Sequence, residues 1–369
     1  MSAASSSVPE VLAPEAARPA PVPARAGNPP ADNPRAVVFG CAGPVLSAAE
    51  RDFFAAARPL GFILFRRNVE TPEQVTRLTA DLRRAVGRSH APVLVDQEGG
   101  RVARLRPPHW PEFPAARVFG EVWTRDPERA VEAVRANSRL LAATLLPLGI
   151  TVDCMPVLDV PSPGSHDVIG DRAYSTDPMA VAQLGLAAAE GLLEGGVLPV
   201  VKHLPGHGRA GVDSHLELPT VAASEADLMA RDFAPFRALR YMPLGMTAHV
   251  RYLALDAARP ATLSSTVLGE FVRDRIGFAG LLFTDDLSMQ ALPGSIEDRA
   301  EAAIAAGCDV ALHCNGDLGE MERVARAVPA MGRHAHRRWQ IAEGMRQRSR
   351  QPADVERLAA WRDLMLVTA

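Results

Sequence analysis

The chain has 369 residues, of which 47% are hydrophobic and 22% are charged, and its formal net charge is -3. This composition is ordinary for a soluble globular protein, and so small a charge gives no global attraction to nucleic acid, to a membrane surface or to a polyanionic substrate. We therefore predict no nucleic-acid partner and no membrane partner. Length alone allows either two domains or one large α/β barrel, since such barrels commonly have about 250 residues or more.

Cysteine usage and the N-terminal residues both favour the cytoplasm. Cys41, Cys154, Cys308 and Cys314 lack a paired C-x-x-C spacing, which favours buried free thiols over a disulfide framework or a zinc knuckle. No run reaches the roughly 18 apolar residues that a membrane span needs. The N-terminus also lacks the basic start and the apolar stretch of a signal peptide. We therefore predict a cytoplasmic protein.

Residues 1–34 differ in composition from the rest of the chain. Ala, Pro and Ser dominate this segment, its prolines interrupt helix formation, and it has few large apolar side chains to pack. We predict a disordered Pro/Ala-rich tail over 1–34, followed by one folded domain over 35–369.

Short apolar runs, many rich in β-branched residues, alternate with amphipathic segments after Pro34. Eight runs are predicted to be strands: Ala36–Phe39, Gly61–Phe65, Pro92–Val95, Ile150–Met155, Val197–Lys202, Leu244–His249, Gly280–Phe283 and Asp309–His313. Capping signals predict helices that begin at Thr71, Asp126, Asp177, Ser224, Ser264 and Ser295. Near-continuous apolar strands that alternate with helices predict a parallel sheet covered on both faces.

About eight such units are enough to close a (β/α)8 TIM barrel, and an open doubly wound sheet is the alternative. Polar side chains follow almost every predicted strand: Asn68, Asp96, Asp159, Lys202, His249, Asp285 and His313. In a barrel all these strand ends meet at one mouth, whereas an open sheet would gather a site only around its switch point. The sequence therefore favours a single-domain α/β TIM barrel. We predict that the region after Asn315 is helical, with Trp339 and Trp361 in its core.

The stretch KHLPGHG at 202–208, together with GVDSH at 211–215, concentrates one Lys, three His and one Asp within 14 positions. Asp213 lies two positions before His215, so its carboxylate can reach the imidazole, fix the tautomer and stabilise the protonated ring. This spacing predicts a general acid/base dyad on a mobile glycine-rich loop. A lone histidine is more often simply a satisfied polar residue, but the density of the cluster favours function.

The three histidines of this cluster also raise the possibility of a metal site. Metal binding would need His203, His207 and His215 as ligands. However, the sequence lacks an i, i+4 histidine pair on a recognisable helix, and Lys202 would repel a cation. We therefore predict neither a metal nor an organic cofactor.

Two further motifs follow predicted strands. The run LLFTDD at 281–286 ends in two carboxylates, and a carboxylate at the end of a barrel strand points into the mouth. There Asp285 can act as a nucleophile or stabilise an oxocarbenium-like transition state, while Asp286 makes supporting hydrogen bonds. In DQEGGRVAR at 96–104, Asp96 and Arg104 are predicted to bind sugar hydroxyls, although Asp followed by two glycines also occurs in simple turns.

Four motifs together resemble bacterial β-N-acetylhexosaminidases of glycoside hydrolase family 3. They are DQEGGRV from Asp96, KHLPGHG from Lys202, DSH from Asp213 and TDDLSM from Thr284. Their order and spacing match from about Val37 to His313. The sequence departs from the family pattern in its Pro-rich N-terminal extension, in Leu204, where an aromatic residue is commoner, and in Thr284, where Ser is commoner.

The resemblance implies a TIM barrel that hydrolyses terminal N-acetylglucosamine from anhydromuropeptides during cell-wall recycling. It assigns Asp285 as the nucleophile, and His215, steered by Asp213, as the acid/base of a retaining double displacement. Sugar binding would fall to the remaining matched residues: Asp96, Arg104, Arg172, Lys202 and His203. Met246 and His249 occupy a matching strand end without a definite role. The partner would be a small carbohydrate, and the protein a monomer or weak dimer.

Two rival functions stay open at this level. A histidine acid/base tolerates an incoming phosphate better than a glutamate would, so the enzyme could be a phosphorylase of the same glycosides. A barrel could also bind muropeptides as a sensor without turnover. The presence of Asp285 together with Asp213 and His215 argues against the sensor, because binding alone needs no nucleophile and no proton shuttle.

Overall fold

The structure, a computed structural model, describes residues 33–367. Its strands in chain order are β1 (Arg35–Phe39), β2 (Pro59–Leu64), β3 (Val93–Val95), β4 (Val152–Asp153), β5 (Leu198–Leu204), β6 (Thr220–Val221), β7 (Leu244–Thr247), β8 (Arg251–Tyr252), β9 (Leu281–Asp286) and β10 (Val310–His313). Eight of them form a closed parallel barrel in the order β1-β10-β9-β7-β5-β4-β3-β2, and β6 pairs with β8 beside it.

Helices connect the strands and surround the barrel. The α-helices are α1 (Ala48–Ala57), α2 (Pro72–Ala85), α3 (Ala116–Trp123), α4 (Pro127–Leu145), α5 (Pro178–Glu194), α6 (Glu225–Asp227), α7 (Ala234–Ala238), α8 (Ile296–Ala306), α9 (Leu318–Ala327), α10 (Arg333–Ser349) and α11 (Val355–Leu366). Two segments, Leu228–Asp232 and Val267–Arg275, have π-helical hydrogen bonding. Short 3-10 turns lie at Arg66–Asn68, Leu146–Leu148, Gly170–Arg172 and Ala261–Leu263.

The predicted TIM barrel is confirmed. Each of the eight predicted strands overlaps one barrel strand, and the barrel closes where Phe39 of β1 pairs with both Phe62 of β2 and His313 of β10. All residues of β2 and of β5 are buried, which is why both strands are apolar along most of their length instead of alternating. The structure extends β5 to Leu204 and β9 to Asp286, so the polar ends of these two motifs belong to the strands themselves.

The predicted helix starts are also observed. Thr71 and Asp126 accept hydrogen bonds from backbone N–H groups in the first turns of α2 and α4, and each is followed by proline at the first position. Ser295 forms a capping box with Asp298 at the start of α8. Ser264 accepts from the N–H of Val267, so the segment after it begins as predicted. These caps fix the directions in which the chain leaves the barrel strands.

The ends of the chain differ in part from expectation. Residues 1–32 of the predicted tail lie outside the described residues, and Asn33 is buried, with its side-chain amide donating to the carbonyl of Met331. The region after Asn315 is largely helical, as predicted. Placing Trp361 in the core was wrong, because it is 44% exposed on α11, although this helix packs against α4. All four cysteines are buried free thiols, and no helix between residues 33 and 367 is long and apolar enough to span a membrane.

Candidate active site

A cavity of about 280 Å³ lies at the ends of the barrel strands and brings together seven of the eight predicted site residues. Those seven are Asp96, Arg104, Arg172, Lys202, His203, His215 and Asp285. The eighth, Asp213, lies just outside the lining and binds the ring of His215. These polar side chains therefore lie together at one mouth of the barrel, as the sequence predicts.

A larger cleft of about 600 Å³ lies between α4 and α11, away from the strand ends. Arg135, which lines this cleft, is bound by neighbouring acids, by Glu190 at 2.5 Å and by Glu194 at 2.7 Å. We place the active site in the smaller cavity. Unlike the larger cleft, it combines strand-end carboxylates with histidines and a buried lysine.

Asp285 ends β9 on the cavity wall, and one of its carboxylate oxygens accepts the backbone N–H of Asp286 at 2.8 Å. Burial raises the pKa of the Asp285 carboxyl, but the nearby His203 and His249 outweigh burial, and the pKa lies below its ordinary value. The group is therefore anionic at neutral pH, as a nucleophile must be.

Asp286 has the supporting role expected of it. Its carboxylate accepts the hydroxyl of Ser288 at 2.6 Å and the backbone N–H of Cys314 at 3.2 Å. These bonds tie the end of β9 to the segment after β10. The orientation of the neighbouring Asp285 is fixed by this bracing.

Asp96 is held between two cations. Its carboxylate oxygens contact Lys202 Nζ and an Arg104 guanidinium nitrogen, each at 2.9 Å. Burial raises the pKa of Asp96, but the charges of Lys202 and Arg104 outweigh it, so the pKa lies below its ordinary value. The arrangement gives one wall of the cavity fixed acceptors and donors of the kind that bind sugar hydroxyls.

Glu98 belongs to the same cluster, although sequence reasoning gave it no role. It binds Arg172 through two parallel hydrogen bonds of 2.8 Å, and Lys202 Nζ lies 2.6 Å from its carboxylate. Burial raises the pKa of Glu98, yet Arg172 and Lys202 lower it to about 2. Glu98 therefore fixes both cations as a rigid, charged wall of the cavity.

Replacing Glu98 by glutamine removes this charge while it keeps the shape of the side chain. We expect Glu98→Gln to reduce the free energy of unfolding by about 3–5 kcal/mol, because removing one partner of a buried ion pair leaves the others unpaired. Urea unfolding at neutral pH measures the loss. Glu270→Gln, which removes one of the two exposed partners of Arg275, is the matched control and should shift the midpoint little.

The same pair of proteins tests the sign of the pH dependence. The folded pKa of Glu98 is about 2, whereas its ordinary value is 4.5. Its stabilisation is therefore fully present above pH 4.5 and is lost as the pH falls towards 2. The difference in stability between the native protein and Glu98→Gln should shrink over that interval. A difference that stays constant or grows on acidification would contradict this assignment.

Asp159, a second residue without an assigned role in the sequence, connects two histidines below the cavity. Its fully buried carboxylate lies 2.6 Å from His203 Nδ1 and accepts the backbone N–H of His207 at 2.6 Å. Burial raises the pKa of Asp159, but His203 lowers it to about 2, so the group is anionic. Asp159 thereby fixes the tautomer and the position of His203.

The Asp213–His215 pair has the geometry predicted from its spacing. Asp213 accepts the backbone N–H of His215 at 2.9 Å and lies 2.8 Å from its ring Nδ1. Burial raises the pKa of Asp213, but the hydrogen bonds from His215 outweigh it, and the pKa lies below its ordinary value. With Nδ1 held by Asp213, the Nε2 atom of His215 is left to exchange a proton with a ligand in the cavity.

His249, two residues after the end of β7, is fixed on both ring nitrogens. Nδ1 lies 2.7 Å from the Thr262 hydroxyl, and Nε2 lies 3.0 Å from the backbone carbonyl of Asp286. Burial lowers the pKa of this histidine. His249 therefore supports the end of β9 through its contact with Asp286.

The three histidines considered as a metal set do not form one. His203 is bound to Asp159, His207 to Ser214 and His215 to Asp213. Over residues 33–367 no three His, Cys, Asp or Glu side chains are placed to hold a metal ion together.

With this geometry established, comparison with known proteins identifies the family. The glycosyl hydrolase family 3 N terminal domain matches residues 47–340. This chain belongs to glycoside hydrolase family 3. The β-hexosaminidase of Bordetella avium is 39% identical over 307 residues, which cover 81% of this chain and 87% of that protein. The β-hexosaminidase of Neisseria gonorrhoeae is 40% identical over 289 residues, 77% of this chain and 79% of that one.

Solved structures agree with the family assignment. This glycoside hydrolase superposes on NagZ from Neisseria gonorrhoeae in complex with N-trifluoroacetyl-D-glucosamine with a TM-score of 0.81 and 34% identity, over 91% of this chain and 99% of that one. NagZ from the same organism has also been solved with a zinc ion, at a TM-score of 0.79 and 32% identity. The resemblance inferred from the four motifs is thus confirmed along most of the hydrolase.

Proposed function

We propose that the protein is a retaining exo-β-N-acetylglucosaminidase, with Asp285 as the nucleophile and His215 as the acid/base. The observation that carries the proposal is that both side chains line the cavity that also holds Asp96, Lys202 and Arg172. A volume of about 280 Å³ lies below the roughly 300 Å³ at which drug-sized pockets begin, and it suits a single sugar ring. The names of the relatives, β-hexosaminidase, support an amino sugar.

The first displacement forms a covalent intermediate. A carboxylate oxygen of Asp285 attacks the anomeric carbon while the bond from that carbon to the leaving oxygen breaks. Protonated His215 gives its Nε2 proton to the departing oxygen, and Asp213 stabilises the ring in its charged form. The cations around Asp96 and Glu98 hold the sugar hydroxyls during this step.

The second displacement releases the sugar. Neutral His215 takes a proton from water, the water oxygen bonds to the anomeric carbon, and the bond from that carbon to Asp285 breaks. Two inversions give net retention of the β configuration. Asp285 returns to its anionic form and His215 to its protonated form, so the cycle needs no further reagent.

The natural substrate class and the location are part of the proposal. We assign peptidoglycan-derived N-acetylglucosaminyl-anhydromuropeptides as substrates, on the family resemblance of the four motifs. Four buried free thiols support a reducing cytoplasm.

Product analysis tests the proposal. Incubation with 4-nitrophenyl N-acetyl-β-D-glucosaminide should release nitrophenol and free N-acetylglucosamine, whose β anomer appears first in the proton NMR spectrum. Adding phosphate should leave the product unchanged. N-acetylglucosamine 1-phosphate as the main product would identify a phosphorylase instead, and absence of release at any enzyme concentration would favour a binding protein.

The substrate class needs its own arm of the same assay. Purified N-acetylglucosaminyl-anhydromuropeptide and N,N′-diacetylchitobiose, at equal concentrations, present the same sugar with different aglycones. We expect the higher kcat/KM with the muropeptide. Equal or higher values with chitobiose would retain the reaction and overturn the proposed substrate.

A further inference from the structure

Ser214 lies between the two residues of the Asp213–His215 pair, yet its environment is different from theirs. It is 3% exposed, whereas the side chain of His215 is 64% exposed. Its hydroxyl lies 3.1 Å from Nε2 of His207, and both residues line the cavity. Within the loop that carries Asp213 and His215, the side chain of Ser214 therefore points into the protein and contacts His207, which lies earlier in the same loop.

His207 is a fixed point for this contact. Its backbone N–H donates to Asp159 at 2.6 Å, and Asp159 also binds the ring of His203. Burial lowers the pKa of His207 to about 4, so the ring is neutral at neutral pH. Ser214 thus attaches the loop to a neutral, buried group that is anchored to the end of the barrel.

Residues 213–215 make their other hydrogen bonds to segments outside the loop at longer distances. The backbone N–H groups of Gln290 and Ala291 donate to the carbonyls of His215 and Ser214, each at 3.3 Å. Both lie beyond the usual N–H···O range of about 2.7–3.2 Å. The side chain of His215 itself makes its hydrogen bond within the loop, to Asp213. A buried side-chain hydrogen bond to an anchored partner is therefore the better defined attachment.

We propose that Ser214 and His207 form a latch that holds the acid/base loop over Asp285, which makes both of them positioning residues for His215. This inference rests on the proposed role of His215 as the proton donor. Without the latch the loop spends less time with His215 in the cavity, while the sugar-binding wall and Asp285 stay in place. The consequence is a selective loss of acid catalysis.

Leaving-group dependence measures that loss. An aryl glycoside with a very good leaving group, such as 2,4-dinitrophenyl, departs without protonation, whereas a methylumbelliferyl or natural sugar leaving group needs the acid. The value of kcat/KM covers the steps up to departure of that group, so the later action of His215 on water does not enter. We expect Ser214→Ala to lower kcat/KM about threefold to tenfold for the poor leaving group, the range of one lost hydrogen bond, and to leave the dinitrophenyl value within about twofold.

Two further variants separate positioning from damage to the fold. Ser214→Thr keeps the hydroxyl and should retain the native ratio of the two kcat/KM values. His207→Leu removes the other half of the latch and should reproduce the selectivity of Ser214→Ala, which keeps the inference testable if one variant does not fold. Equal losses on both substrates, or a native ratio in Ser214→Ala or His207→Leu, would overturn the latch.

His215→Ala in the same assay distinguishes failure of the latch from failure of the proposed function. The latch would be refuted, with the mechanism intact, if His215→Ala lost kcat/KM mainly for the poor leaving group while Ser214→Ala showed no such preference. Absence of leaving-group dependence in His215→Ala would remove the proposed proton donor, and the latch with it.

Discussion

Asp285→Asn is expected to lower kcat/KM for an aryl N-acetyl-β-D-glucosaminide by a factor on the order of 10⁴ or more, the scale of removing the nucleophile of a covalent mechanism. Asparagine has nearly the same shape as aspartate, and its side-chain oxygen can still accept the N–H of Asp286. The loss would therefore come from chemistry and not from a displaced strand. Initial rates with a dinitrophenyl glycoside measure it, because that substrate needs no proton donor.

A matched control and a product assay make this test sharp. Asp274→Asn makes the same chemical change at an exposed position outside the cavity and should leave kcat/KM unchanged. In Asp285→Ala, added azide should occupy the place of the missing carboxylate and yield the α-glycosyl azide by a single inversion. If Asp285→Asn retained more than about a tenth of the native activity, or if azide gave the β product, another group would have to be the nucleophile.

His215→Ala is expected to lower kcat/KM by about 10²–10⁴-fold for substrates with poor leaving groups, the usual contribution of a positioned general acid. Asp213 would lose the ring that it orients in this variant. The decrease in kcat/KM should be large for a methylumbelliferyl glycoside and small for a dinitrophenyl glycoside. Accumulation of glycosyl-enzyme with the dinitrophenyl substrate, seen by intact mass spectrometry, would report the missing base in the second step.

The control for His215 is another exposed histidine. His334 lies on α10, outside the cavity, and His334→Ala should behave as the native protein with both substrates. Equal losses for the two leaving groups in His215→Ala would indicate a binding role for this residue in place of proton transfer.

Local patterns in the sequence were sufficient for the barrel. Apolar runs of strand length, most of them preceded by a capped helix and followed by a polar residue, carry their information within about ten positions. The same holds for Asp213 and His215, whose contact needs a separation of only two residues. Asp285 was equally accessible, since a carboxylate that ends an apolar strand must lie at the barrel mouth.

Contacts between residues far apart in the chain could not be predicted from such local patterns. Glu98 meets Arg172 across 74 positions, and Asp159 meets His203 across 44, and no periodicity connects either pair. The position of Asp159 after a predicted strand indicated that it lies near the barrel mouth, but the sequence did not indicate that it binds His203. The prediction that Trp361 is buried was wrong for a related reason. Burial of a helix face depends on which other element packs against it, and the local sequence does not specify that element.

Asp159 has a consequence for how this enzyme should respond to mutation. It contacts neither the cavity nor solvent, and yet the ring of His203 and the backbone of His207 both depend on its two oxygens. In a saturation-mutagenesis map, such a position would score as intolerant as a residue that touches the sugar. A search by distance to the ligand would pass over it, so remodelling of this enzyme for other glycosides should begin by leaving Asp159 unchanged.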